Sequence, residues 1–194
     1  MSRFADQTAI VTGAGSGIGH AIADWLRDEG ATVFSADLDP SGVPDGPRPV
    51  RLDVSREEDW PALVPDVLRA TGRIDLLFDN AGIGSTADPV SCGVREWDRL
   101  FAVNARGPFL GTRAVLPTML AQGRGALVHT ASVAGSVGLA NRTAHCASKG
   151  AVIAFSRQVA IQYAGTGVRG NCVCPGTVDS PWVARLLDGG LLAG

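Results

Sequence analysis

Apolar and polar positions along this chain alternate between two spacings. Residues 8–11 form a short β-branched apolar run that stops at Gly13, the mark of a buried strand. From 18 to 29 the apolar positions recur at helical spacing (Ile18, Ala21, Ile22, Trp25, Leu26) and stop at Gly30, a residue suited to a helix C-terminus. Residues 31–36 predict a second strand, the Pro- and Gly-rich stretch 40–49 a loop, and 50–52 a third strand. Ser55 is placed to cap a helix, with Glu58 as its capping-box partner. A fourth strand at 74–78 precedes a long helical segment over 97–122, in which Pro108 and Pro117 mark kinks or turns. A fifth strand at 126–131, a helix at 143–163 and a sixth strand at 168–174 complete the pattern.

Strands alternating with helices predict one doubly wound, Rossmann-type parallel sheet covered by helices on both faces. At 194 residues and 45% hydrophobic, without repeat or linker, the chain suits a single domain spanning 1–194. A net charge of −2 with scattered basic residues offers no footprint for nucleic acid. No apolar run is long enough to cross a bilayer, and residues 1–7 carry no apolar core of a signal peptide. Cys172 and Cys174 share one face of a strand without the turn that wraps a metal, and no histidine has acidic or cysteine partners at ligand spacing. No metal is expected, and reduced thiols fit a cytoplasmic protein.

Chemistry concentrates at the first strand–helix junction, Thr12-Gly13-Ala14-Gly15-Ser16-Gly17-Ile18-Gly19. Glycines there let backbone approach a pyrophosphate, and a helix N-terminus supplies free N–H groups. The strict G-x-G-x-x-G spacing is not met, because Ile18 takes the sixth position; T-G-x-x-x-G-x-G fits. Asp37 closes the second strand and can accept from both ribose hydroxyls while repelling a 2′-phosphate, which favours NAD over NADP. Asp39 is the alternative. A second cluster is His145-Cys146-Ala147-Ser148-Lys149, thirteen residues after Ser132. One helical turn puts His145 and Lys149 on the same face, a titratable ring beside an ammonium.

These residues together resemble the short-chain dehydrogenase/reductase family, in order from Thr12 to Ser180. The resemblance implies a cofactor site built on Gly13, Ser16, Gly17, Ile18, Gly19, Asp37 and Leu38. Asp53 and Val54 match the adenine-contacting pair, and Asp79-Asn80-Ala81-Gly82 resembles an N-N-A-G motif with aspartate first. Asn104 matches the asparagine that organises a relay water, Ser132 the substrate-polarising serine, and Lys149 the lysine on the cofactor ribose. Pro175, Gly176 and Val178 match the turn around the nicotinamide, where Ser180 replaces a threonine. The implied activity is NAD-dependent interconversion of a secondary alcohol and a ketone. The family's pairing of its two long helices implies a homo-oligomer, a dimer through those helices.

Two departures shape that expectation. His145 stands where the family carries its acid/base tyrosine, and the one tyrosine, Tyr163, lies too far along to replace it. An imidazole reaches roughly 2 Å less far than a phenol, and a misplacement of ~1 Å can cost about a hundredfold. The alternative function is therefore a catalytically impaired NAD-binding protein with an assembly role. The second departure is the short C-terminus, where residues 180–194 read as a remnant of the substrate lid and the final edge strand is missing. For the small-molecule substrate, Arg142 and Arg185 are candidate anchors of a carboxylate, as in a hydroxy acid or sugar acid.

Overall fold

The computed structural model describes residues 2–43 and 48–179. Six parallel strands form one sheet in the order β3-β2-β1-β4-β5-β6: β1 Thr8–Thr12, β2 Thr32–Asp37, β3 Arg48–Arg51, β4 Leu76–Asp79, β5 Gly125–Thr130 and β6 Val168–Val173. The helices are α1 Gly17–Asp28, α2 Trp60–Thr71, α3 Val94–Phe101, α4 Gly107–Gln122 and α5 Thr143–Gln162. β1 is buried on both faces, and successive residues feed different cores. Ala9 and Val11 pack with Ala23 and Leu26 of α1. Ile10 packs with Trp60 and Leu63 of α2, Val115 and Met119 of α4, and Val159 of α5. The sheet thus lies between two helical layers, as the period-two alternation requires.

The strand order reverses between β1 and β4, which opens a crevice at their C-terminal ends. Thr12 ties the two strands there: its Oγ1 accepts from the N–H groups of Asn80 and Ala81 at 3.0 and 3.1 Å and donates to the Phe78 carbonyl at 3.4 Å. α1 ends as expected at Gly30, whose φ of +93° lets Ala31 N–H return to the Leu26 carbonyl.

Two expectations are corrected. Ser55 does not cap a helix: its N–H and hydroxyl both go to Asp53 Oδ1, at 3.0 and 2.6 Å, and Arg56 takes Glu58. The carboxylate two residues back forms a tighter local turn than the capping box would. α2 then starts at Trp60, after a short 3-10 turn at Glu57–Asp59. The long helix over 97–122 is interrupted by a π-helical turn at Ala102–Arg106, ahead of Pro108. Pro117 stays inside α4. Among the described residues the sheet ends at β6; residues 180–194, read as a lid remnant, lie outside them.

Candidate active site

A cleft of about 680 Å³ occupies the crevice between β1 and β4. Gly13, Ser16, Gly17, Ile18, Asp37, Leu38, Asp53, Val54, Asn80, Ala81, Gly82, His145 and Lys149 line it, which brings together most of the sequence candidates. Leu52, Ser55, Ile83, Arg99, Ala102, Val103 and Thr130 also line it and were not anticipated. Thr130 and Ile83 could have been inferred as the residues next to a strand end and the D-N-A-G turn. Arg99, Ala102 and Val103 come from the α3–π junction, where no motif signals them.

The glycine turn is shaped for close approach. Gly13 has φ +67°, and a Cβ there would come within 2.8 Å of Ala81 Cα. Gly19 is buried rather than lining the cleft; a Cβ on it would collide with the Gly13 carbonyl and stand 2.5 Å from Asn80 Nδ2. Ser16 is the N-cap of α1, but its side chain bonds no backbone N–H, so the first turn keeps its donors for an anion. Asp37 uses one carboxylate oxygen to accept Gly15 N–H at 2.9 Å and the other to accept Asp39 N–H at 3.1 Å. Asp39 instead caps a short turn by accepting from Ser41 N–H at 3.0 Å. The cradle, the uncapped helix end and the carboxylate at the tip of β2 fit a dinucleotide.

At the other end of the cleft, the Lys149 ammonium donates to the Thr130 carbonyl at 2.7 Å. The side chain is 5% exposed, and burial lowers its pKa from 10.5 to about 8. His145 is 8% exposed, and its Nδ1 stands 3.4 Å from the Ile83 carbonyl. Burial first, then the charges of Lys149 and Arg142, lower its pKa against the opposing pull of the Ile83 carbonyl. The ring is therefore neutral at neutral pH.

Asn104 sits in the π turn, wholly buried. Its Oδ1 accepts Ile83 N–H at 2.9 Å, and its Nδ2 donates to the Ile83 carbonyl at 2.9 Å and to Ser148 Oγ at 3.0 Å. Ser148 passes its own proton to the His145 carbonyl at 3.0 Å. Such an interruption of a helix often accompanies a functional residue.

Asn104, Ser132, Arg142, Pro175, Gly176 and Val178 stand outside the cleft lining. Ser132 caps a 3-10 turn, where its Oγ accepts Ala134 N–H at 3.1 Å and keeps its proton for donation elsewhere. Arg142 sends Nη1 to the Ser85 carbonyl at 2.9 Å and so grips the segment after β4. Ser180 and Arg185 lie outside the described residues. No group of three or more histidine, cysteine or acidic side chains among the described residues could hold a metal, and no helix of the described residues is long and apolar enough to cross a membrane.

A doubly wound sheet with a glycine-lined crevice at its switch point defines a nucleotide-binding α/β protein. The sequence pattern of the short chain dehydrogenases matches residues 7–189. The chain is 41% identical over 196 residues to 2-(R)-hydroxypropyl-CoM dehydrogenase of Xanthobacter autotrophicus, covering 94% of this chain and 78% of that protein. It is 44% identical over 140 residues to inactive 2-(S)-hydroxypropyl-CoM dehydrogenase 2 of the same organism, covering 72% of this chain and 61% of that protein. The 3-ketoacyl-(acyl-carrier-protein) reductase of Brucella melitensis, solved with NADH, superposes with a TM-score of 0.89 at 30% identity, over 93% of this chain and 80% of that one. The chain belongs to the short-chain dehydrogenase family, nicotinamide-dependent oxidoreductases that act on CH–OH groups.

Proposed function

We propose that the chain uses NAD to interconvert a secondary alcohol and a ketone. The observation that carries this reading is the single cleft joining the glycine turn and Asp37 to His145 and Lys149. Asp37, at the tip of β2, receives the ribose hydroxyls and disfavours a 2′-phosphate. Leu38, Asp53 and Val54 border the adenine end, and Asn80, Ala81, Gly82 and Lys149 the nicotinamide ribose. By the family resemblance, Pro175, Gly176, Val178 and Ser180 would hold the nicotinamide, which would accept or return the hydride.

The protein's own part is proton management. Ser132 donates its free hydroxyl proton to the substrate oxygen. His145, neutral at neutral pH, takes the hydroxyl proton of an alcohol as the carbinol hydrogen leaves as hydride. Asn104 positions the ring through the Ile83 carbonyl that it shares with His145 Nδ1, and burial and the Lys149 charge hold the ring in its neutral form. A hydroxy acid or sugar acid is one candidate substrate, for which Arg142, whose Nη1 holds the Ser85 carbonyl outside the cleft lining, and Arg185 would be the anchors.

The two longest helices support a homodimer. Phe109 on α4 is 45% exposed and Ile161 on α5 is 79% exposed, apolar side chains on the surfaces expected to pair. The chain's likeness to a relative named as inactive favours one second reading, an NAD-binding protein with little turnover. Calorimetric titration with NADH followed by turnover of a panel of hydroxy acids tests both. Binding without turnover selects the second reading, and no binding to folded protein rejects both.

A further inference from the structure

The cleft occupies the C-terminal ends of the strands. A second recess, of about 360 Å³, opens at the other end of the sheet, where β1, β4, β5 and β6 begin. The proposed reaction does not use it. Three arginines from three segments line it: Arg73 before β4, Arg124 before β5 and Arg169 on β6. Two aspartates, Asp75 and Asp6, stand in the same wall.

Asp75 is already satisfied. It is 6% exposed and accepts Thr8 N–H at 2.9 Å. Arg73 grips both of its oxygens, Nε on Oδ2 at 2.7 Å and Nη2 on Oδ1 at 2.6 Å. One guanidinium therefore neutralises this buried carboxylate in a bidentate pair. Arg124 is surplus to it. Its nearest nitrogen, Nε, stands 3.7 Å from Oδ1, beyond hydrogen-bond distance, which leaves both terminal amino groups uncommitted. The Arg169 side chain forms no hydrogen bond or ion pair with any described residue, and the exposed Asp6 pairs with none of the three arginines.

We propose that this recess is a second binding site, separate from the cleft, for a small oxyanion of multiple charge, a phosphate-bearing or polycarboxylate molecule held between Arg124 and Arg169. Bracing Asp75 takes one arginine, not three. Like charges gathered on one concave wall focus a positive potential and repel one another until an anion sits between them. Guanidinium groups suit that anion, because each presents paired N–H donors to two oxygens at once. The volume is at the lower end for a small-molecule site and smaller than that of the cleft. The five residues of β1 set the recess roughly 15 Å from the glycine turn, so both sites can be filled together.

Calorimetric titrations with inorganic pyrophosphate and, separately, with citrate at fixed ionic strength test the site and tell phosphate from carboxylate. At least one of the two is expected to bind with a dissociation constant below about 1 mM, and the tighter one gives the ligand class. Arg124→Gln and Arg169→Gln are each expected to weaken that binding by about tenfold or more, the loss of a charge-assisted hydrogen bond. Asp6→Asn removes the opposing charge at a backbone position, φ +61°, that asparagine tolerates. It is expected to tighten binding by about threefold, a gain that damage to the fold does not produce. The proposal is overturned if neither anion binds. Arginine variants that bind as the wild type does would also overturn it, by placing the anion elsewhere, and so would an Asp6→Asn protein with unchanged or weaker affinity.

Discussion

Asn104 clasps Ile83 at both ends of its peptide unit, accepting its N–H and donating to its carbonyl, each at 2.9 Å. That clasp fixes the segment after β4 against the π turn, and His145 Nδ1 rests on the same carbonyl. Asn104→Ala removes it without adding any group. Leaving a buried donor or acceptor unpaired costs about 1–3 kcal/mol, and a chain of this size loses roughly 2–4 °C of Tm per kcal/mol. The expected fall is ~4–8 °C by differential scanning calorimetry. An unchanged midpoint would show that water replaces the clasp at no cost.

Lys149 gives the fold a pH signature. Its folded pKa, about 8, lies below the ordinary 10.5, so the unfolded chain binds more protons between those values. Stability therefore rises with pH across that window and is lost again as pH falls through the folded pKa. The full effect corresponds to ~3 kcal/mol. Lys149→Met has no such group, so the wild type is expected to gain on the variant as pH climbs from about 8 to 10.5 in paired thermal melts. A constant gap between the two curves would refute the buried-ammonium assignment.

Features set by local spacing were legible in the sequence. The glycine turn, Asp37 at the end of β2 and the His145–Lys149 pair are each short patterns whose geometry follows from one strand–helix junction or one helical turn. Features set by contacts between distant elements were not. Nothing in residues 97–122 announced a π turn at Asn104, because its cause is the Ile83 peptide 21 residues earlier. The Ser55 capping box failed for a local reason, competition from the Asp53 carboxylate. Arg99 and Val103 reach the cleft only because α3 folds over it, and Arg73, Arg124 and Arg169 meet only because β4, β5 and β6 lie side by side.

Asp37 holds its carboxylate in place with two backbone N–H groups, which pre-orients it toward the cleft. Asp37→Ala removes both a ribose acceptor and the repulsion of a 2′-phosphate. NADH affinity is expected to fall by about tenfold, near the net value of a charge-assisted hydrogen bond. NADPH affinity should hold or rise, so the ratio of the two dissociation constants is the decisive reading. A ratio equal to that of the wild type would mean that Asp37 only braces the turn at Gly15.

His145→Tyr separates an adapted site from an impaired one. A buried imidazole with a lowered pKa is unprotonated at neutral pH and so offers a lone pair to an alcohol, although as a weakened base. It has little imidazolium to offer a ketone. With the lowered folded pKa, any contribution from the charged ring lies on the acid side, so ketone reduction by the wild type should decline as pH rises toward neutrality. A phenol reaches roughly 2 Å further and stays protonated through neutral pH, and placement on that scale is worth about a hundredfold or more. The tyrosine variant is therefore expected to raise kcat for reduction by ~10–100-fold at neutral pH and to flatten its acid-side profile, with NADH affinity unchanged. Steady-state kinetics in both directions over a pH series make the comparison. A wild type that matches or exceeds the variant in alcohol oxidation would show His145 to be a working base, and the tyrosine to be dispensable in this chain.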